Sequence, residues 1–224
     1  MPEPVVGMVM ARSPVTVTPD VSFKQVACAL LAADACAVPV VSGGMPIGVI
    51  TEYDVLANLE FHGGLDPLPL IGSTAARRRR RKACAATALD LMSSPAPTIG
   101  AAAPIGDAAC RLADPARAAL CVIDDDQHLV GLLTRRDLLA LYRRPDDAIA
   151  ADVRAVVEHD RSRPTRSPAT LTVEVSHGVV TLDGALTYRS QVDHATLMAS
   201  RVAGVIGVHN KLTYDIDDMH VTGF

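Results

Sequence analysis

Tryptophan is absent from this 224-residue chain, and aromatic residues supply only 3% of it. Its cores must therefore be built from Ala, Val, Leu and Ile, and the scarcity of rings argues against an aromatic platform for single-stranded nucleic acid. No apolar run approaches the roughly 18 residues of a membrane-spanning helix. The stretch Met1-Pro2-Glu3-Pro4 lacks the basic-then-apolar layout of a signal peptide, so a cytoplasmic location is expected. The formal charge of −4 offers no global attraction to nucleic acid or anionic lipid,. Only Lys24, Lys82 and Lys211 of the 21 basic residues are lysines. The five cysteines (Cys28, Cys36, Cys84, Cys110 and Cys121) form no C-x-x-C pair. They are expected to be buried free thiols rather than a disulfide or metal framework. His177 and His194 have no acidic or cysteine companions at ligand spacing, so no metal site is expected. The chain also lacks a phosphate-loop motif and any nucleophile–base pattern. No catalytic residue is assigned, and an enzyme is not expected.

What the chain does have is a junction that occurs twice. Gly48-Val49-Ile50-Thr51-Glu52-Tyr53-Asp54 runs into an apolar helical stretch, and Gly131-Leu132-Leu133-Thr134-Arg135-Arg136-Asp137 does the same. Each reads as a short buried strand followed by a helix with a threonine N-cap and an aspartate three residues on, the pattern of a capping box. The residues before each junction repeat at an offset of 82: Met10 falls on Met92, Thr16 on Thr98, Cys28 on Cys110 and Pro39 on Cys121, while the junctions themselves lie 83 apart, an extra residue falling in the hairpin turn. Each unit predicts a leading segment, a helix, a strand, a turn, a second strand and the capped helix. The first helix is expected over about Val21 to Ala33. Its counterpart should stop near Leu112–Asp114, because Pro115 lacks the N–H and clashes inside a helix.

This doubled β-α-β-β-α unit, closed each time by G-h-h-T-x-x-D, resembles a tandem pair of CBS domains (a Bateman module). The resemblance implies an α/β (α+β) fold in which two units pack about a pseudo-two-fold axis, with clefts for AMP, ADP, ATP or S-adenosylmethionine. It implies no required cofactor, and it implies a homodimer. It assigns Asp54 and Asp137 to ribose, and Thr51 and Thr134 to phosphate or ribose. The neighbourhoods of Thr16, Val38 and Val40 in one unit, and of Thr98, Leu120 and Val122 in the other, would border adenine. Arg135 and Arg136 either add phosphate contacts in the second site or form a solvated first turn. Which of the two clefts binds stays open.

The expected boundaries are CBS unit 1 over 1–60, a flexible linker over 61–86, CBS unit 2 over 87–144 and a third domain over 145–218. The linker carries Arg77, Arg78, Arg79, Arg80, Arg81 and Lys82, six consecutive positive charges. They read either as a solvated linker or as an anion contact. Beyond the repeat, the order α-β-β-α-β, with Gly178-Val179-Val180-Thr181-Leu182-Asp183-Gly184 and later Val202-Ala203-Gly204-Val205-Ile206-Gly207-Val208-His209-Asn210, resembles a small BON domain. That resemblance implies an interaction module for an unknown protein partner or a phospholipid surface, and its motif residues read as structural. The function expected is a regulatory adenine-nucleotide sensor that signals through the BON domain. The alternative is a non-enzymatic adaptor that meets an anionic surface through the BON domain and the arginine block, with nucleic acid the less expected partner.

Overall fold

The structure, a computed structural model, describes residues 4–62, 74–159 and 171–220. It divides into a unit spanning Val5–Leu138 and a second one from Leu139 onward. In the first unit a 3-10 turn at Val6–Met8 precedes β1 (Ala11–Arg12), α1 (Phe23–Ala32), the hairpin β2 (Ala37–Ser42) and β3 (Met45–Thr51), and α2 (Glu52–His62). Next come α3 (Thr74–Ala83) and α4 (Ala88–Leu91). They lead into β4 (Thr98–Gly100), α5 (Ile105–Leu112), the hairpin β5 (Ala119–Ile123) and β6 (Leu129–Thr134), and α6 (Arg135–Leu139). Ser22 starts α1 by donating its backbone N–H and its hydroxyl to Gln25 Oε1, at 3.2 and 2.7 Å. As the proline rule requires, α5 ends at Leu112, three residues before Pro115,.

Four consecutive residues of β2, Ala37 to Val40, are buried. A strand presents alternate residues to opposite faces, so burial on both faces means that the hairpin is covered twice. Val38, Val40 and Ile50 face the helices of their own half, with Val26 and Leu30 of α1. Ala37 and Val49 face the other half, where they meet Ala119, Cys121 and Leu132. The halves thus pack sheet to sheet, related by the sequence repeat. Even the register irregularity recurs at the equivalent place, between Val40 and Val41 and between Val122 and Ile123.

The segment leading each half is packed in the opposite half. β1 pairs antiparallel with β6, Ala11 facing Leu132. Its counterpart Ser93 exchanges two backbone hydrogen bonds with Val49, at 2.9 and 3.0 Å. Val6 is buried among Ile99, Leu112, Leu120 and Leu133, while Ala88, Leu91 and Met92 are buried among Val26, Leu30 and Val38. This crossing accounts for the glycine that opens each junction. A Cβ on Gly48 would run into Met92 Sδ, and one on Gly131 would run into Met10 Sδ and lie 3.0 Å from the Ala11 carbonyl oxygen. Gly131→Ala is expected to lower stability by about 1–3 kcal/mol through overpacking, read as a lower urea midpoint with an unchanged slope. An unchanged midpoint would mean that the crossing does not persist in solution.

The second unit holds a 3-10 turn at Ala140–Arg143, α7 (Asp146–His159), the hairpin β7 (Thr172–Ser176) and β8 (Val179–Tyr188), α8 (Arg189–Ser200) and β9 (Gly207–Ile216). β7 and β8 are antiparallel, and β8 runs parallel to β9. Val173, Val180 and Leu182 form one apolar core with Ile149, Val153, Val156 and Val157 of α7 and Ala195 and Ala199 of α8. The two-residue turn His177-Gly178 has φ of 51° and 76°, the conformation that matches the twist of a tight hairpin. Asp146 at the start of α7 accepts from the His177 and Gly178 backbone N–H groups at 2.7 and 2.9 Å, tying helix to hairpin.

The expectation of buried thiols holds for only one cysteine. Cys28, Cys36, Cys84 and Cys110 are exposed, and Cys121 alone is buried; all five are free. The exposed ones sit on helix surfaces and at element ends, where a small side chain is tolerated without packing. Burial between the halves pushes the Cys121 thiol up to about 12. Because the unfolded chain ionises this thiol near its ordinary value of 9.0, its contribution to stability is complete below pH 9 and is lost as pH rises toward 12. With a thiol-reactive disulfide at pH 8, four thiols are expected to react in the native state and the fifth only on unfolding. A fifth fast equivalent would show that the contact between the halves opens. Among the described residues, no helix is long and apolar enough to cross a membrane, and no group of three or more His, Cys, Asp or Glu could hold a metal ion.

Candidate functional site

The two T-x-x-D junctions have the same backbone plan and different surroundings. At the second, β6 ends on Thr134 and Asp137 folds back from the first turn of α6. Its Oδ2 accepts from the Thr134 backbone N–H at 2.7 Å and from the Thr134 hydroxyl at 2.8 Å. The capping box is therefore formed, and it uses one carboxylate oxygen. Oδ1 has no protein partner among the described residues. Thr134 and Asp137 lie on the wall of a cleft of about 700 Å³, a volume in the range of small-molecule sites.

The facing wall comes from the other half: Arg12 to Val15 from the end of β1 onward, Ala33 to Ala37 from the end of α1 to the start of β2, and Glu52. Sequence reasoning did not foresee these residues, because they reach the site through the crossing of the leading segment. Two rim residues, Ser13 and Asp34, have φ of 54° and 46°, a conformation that costs energy outside glycine and clusters at functional positions. Arg136 reaches across to Asp34 at 3.7 Å, with both side chains almost fully in solvent, so the pair is weak and easily exchanged. Among the described residues, Arg12 is held by a long 3.4 Å contact from its guanidinium to the Gly7 carbonyl. Cys36 sits on the wall. Partial burial pushes its thiol up, the charges of Glu52 and Asp137 push the same way, and a backbone hydrogen bond and Arg135 oppose them.

Arg135 has a different task from the phosphate contact considered for it. Its Nε donates to the Leu112 carbonyl at 2.8 Å, and Nη2 donates to those of Asp114 and Arg117 at 2.9 and 2.7 Å. It closes the end of α5, where helix carbonyls lack partners. The adenine-bordering assignments also shift. Val38, Val40, Leu120 and Val122 are completely buried in the two cores, so their side chains do not line the cleft, and neighbouring Ala37 and Ala118 do. For Val38 and its neighbour Ala37, the period of two turns an error of one residue into the opposite face, while Ala118 precedes β5. Thr16 and Thr98 also lie outside the cleft walls. Thr98 pairs with Cys121 in the sheet, and its carbonyl accepts from Arg111 at 2.8 Å.

At the first junction, Asp54 Oδ2 accepts from the Thr51 backbone N–H and hydroxyl at 2.8 and 2.9 Å. Here the other oxygen is taken as well. Lys82 Nζ donates to Asp54 Oδ1 and to Ser93 Oγ, the latter at 2.7 Å. Asp54 and Lys82 are each only 5% exposed. The lysine arrives on α3, so the flexible linker expected over 61–86 is replaced across Thr74–Ala83 by a helix; residues 63–73 of that expectation lie outside the described ones. Among the described residues, three further contacts hold α3 against α2. Asn58 Nδ2 donates to the Ala83 carbonyl at 2.8 Å. Arg79 Nε donates to Glu60 at 2.7 Å. The Arg79 guanidinium also lies 4.6 Å from the centroid of the Tyr53 ring. Arg77, Arg78 and Arg81 are exposed, and Arg80 is half-buried. The block is thus partly internal: Lys82 and Arg79 face inward, and the single lysine that ends the arginine run was the one sign of this in the sequence.

The sequence models of two families match this chain. The CBS domain matches residues 6–60 and 88–144, and the BON domain matches residues 145–215. The chain therefore belongs to the CBS-domain family, carrying the domain as a tandem pair with a BON domain after it. Among solved structures, it is similar to CBSX2 in complex with AMP: 26% identity, 61% of this chain and 94% of that one, TM-score 0.52. A structure of CBSX2 from Arabidopsis thaliana matches at 23% identity, over 63% of this chain and 98% of that one, with a TM-score of 0.46. The CBS domain pair of protein MJ0100, in complex with 5-methylthioadenosine and S-adenosyl-L-methionine, matches at 19% identity over 62% and 99%, with a TM-score of 0.50. No curated protein matches the sequence.

Proposed function

We propose that this chain is a regulatory adenylate-binding protein and that its working site is the cleft beside Asp137. One observation supports the choice of cleft: among the described residues Asp137 keeps a carboxylate oxygen without a protein partner on the wall of an open cleft, whereas both oxygens of Asp54 are taken. The likeness to a CBS protein in complex with AMP supports the ligand class.

In this reading Asp137 Oδ1 accepts from the ribose diol, as acidic residues do in other nucleotide sites. Thr134 holds the carboxylate in place. Arg136 exchanges its loose pairing with Asp34 for a phosphate, and Arg12 adds a second cation from the facing wall. Val15, Ala118 and Leu132 give the base an apolar surface. Because the walls come from both halves, a bound ligand favours one arrangement of the halves over others by its difference in affinity for them. The module works as a homodimer in the cytoplasm and passes its state through the BON domain to a partner. The anionic-surface alternative is weaker, since two of the six cations it needs, Arg79 and Lys82, are committed to contacts within the chain.

The test is a series of thermal melts with AMP, ADP, ATP and S-adenosylmethionine. A rise in melting temperature with at least one of them is expected, and it should disappear in Asp137→Ala while surviving Arg78→Ala. No shift with any of the four would overturn the reading.

A further inference from the structure

The last strand of the second unit ends its sheet. β9 runs ten residues, Gly207–Ile216, and among the described residues its sheet neighbour is β8 alone. The opposite edge differs: β7 has five residues, and Arg154 of α7 donates to its Val173 carbonyl at 2.8 Å. A parallel strand bonds to its neighbour through alternate residues, so the residues between them turn their N–H and C=O groups outward. Leu212 is one of these, since its N–H goes to the side-chain oxygen of Asn210 in the same strand, at 2.8 Å. The even positions also carry the apolar side chains. Leu212 packs against the core, while Tyr214 and Ile216 are 43% and 46% exposed. On the other face His209, Lys211, Thr213 and Asp215 are all exposed. Among the described residues, neither Lys211 nor Asp215 forms an ion pair.

We propose that this edge docks β9 of a second copy of the chain, antiparallel about a two-fold axis at Thr213. Such an axis makes every contact occur twice. With Thr213 facing itself, Lys211 stands opposite the partner's Asp215 and Leu212 opposite the partner's Tyr214, whose carbonyl takes over the Leu212 N–H from Asn210. Other registers are poorer. Centring on Lys211 or on Asp215 sets like charges face to face, which is destabilising. Centring on Leu212 leaves Lys211 facing Thr213. Centring on Tyr214 offers it Asp217, which Arg189 already holds at 2.9 Å. A lysine commonly guards an exposed edge against foreign strands. The aspartate four residues on makes this one selective for the chain's own strand. The pairing joins two three-stranded sheets into one of six, and it depends neither on nucleotide binding nor on how the CBS pair itself dimerises.

The first arm is mild oxidation of the full chain carrying Thr213→Cys, with the exposed Cys28, Cys36, Cys84 and Cys110 changed to serine. A non-hydrogen-bonded antiparallel pair brings its Cα atoms to about 4.5 Å, within disulfide reach. Two chains are expected to link at position 213 at least tenfold faster than at position 209 in His209→Cys, where the pairing sets the two copies about 26 Å apart along the strand. Equal rates would overturn the proposal. So would a chain that is dimeric without the link, since it would associate through its CBS pair alone. The second arm adds Lys211→Asp or Asp215→Lys to Thr213→Cys. Each should slow the link at least tenfold, and an equimolar mixture of the two should restore it, because the mixed pair has opposite charges at both contacts. That recovery also shows that both variants fold. Rates unchanged by either substitution, or no recovery in the mixture, would overturn the register. Protection of the Tyr214 amide from hydrogen exchange that persists on dilution would show the edge occupied within its own chain, and would overturn the second copy as its occupant.

Discussion

Replacing Lys82 with alanine is expected to destabilise the CBS pair by about 3–5 kcal/mol, the range for removing one partner of a buried ion pair. The cost is mainly that of what stays behind. Asp54 is 5% exposed and keeps the two hydrogen bonds from Thr51, but its second oxygen loses its only described donor, and Ser93 Oγ loses its contact with the lysine. Urea titration of Lys82→Ala, Asp54→Ala and the double variant measures this directly. The double variant should be less destabilised than the sum of the singles, since removing both charges leaves no orphan. A loss below about 1 kcal/mol for Lys82→Ala, the range of exposed pairs, would mean that the pair is solvated in solution and that α3 does not seal the first half.

Asp137→Ala is expected to abolish the thermal response to adenylate. A ligand at a hundred times its dissociation constant adds about 2.7 kcal/mol to the native state, which for a unit of this size is several degrees. Losing the cap lowers the starting stability by about 0.5–2 kcal/mol, so the comparison to make is the shift on adding ligand, not the melting temperature itself. Asp137→Asn separates the two effects. Its amide oxygen can still accept from Thr134, while the site loses the carboxylate that receives the diol. Retention of the full shift in both variants would place the ligand elsewhere.

The two Asp residues show where reading a sequence stops. The offset of 82 residues, the glycine before each aliphatic run and the threonine–aspartate caps are local features. The caps and glycines depend on dihedral preference or on neighbours within a few residues, so the order of helices and strands within each half was legible from them, while α3 was not. The core was legible only as a pattern. That Val38 and Val40 alternate with Ala37 and Pro39 is visible, but which set faces the helices and which faces the other half is settled when the sheets meet. A sheet covered on both faces has no polar side to mark its orientation.

The repeat and the motifs marked the two places where a carboxylate would stand and the α-β-β-α-β order at the end, and the family resemblance they carry implied the fold class and the pairing of the two halves. The tertiary structure decided which of those carboxylates is available. Asp54 and Asp137 stand in the same T-x-x-D pattern, and among the described residues it is Lys82, 28 positions away from Asp54 and brought back on α3, that occupies the first and leaves the second open. Arg12 and Cys36 reach the second cleft in a similar way, from the half that does not own it. The physical reason is the same in both cases. Capping is satisfied within a single turn of chain, whereas neutralising a buried carboxylate or walling a cleft requires a partner whose distance along the sequence is set by the packing of whole elements.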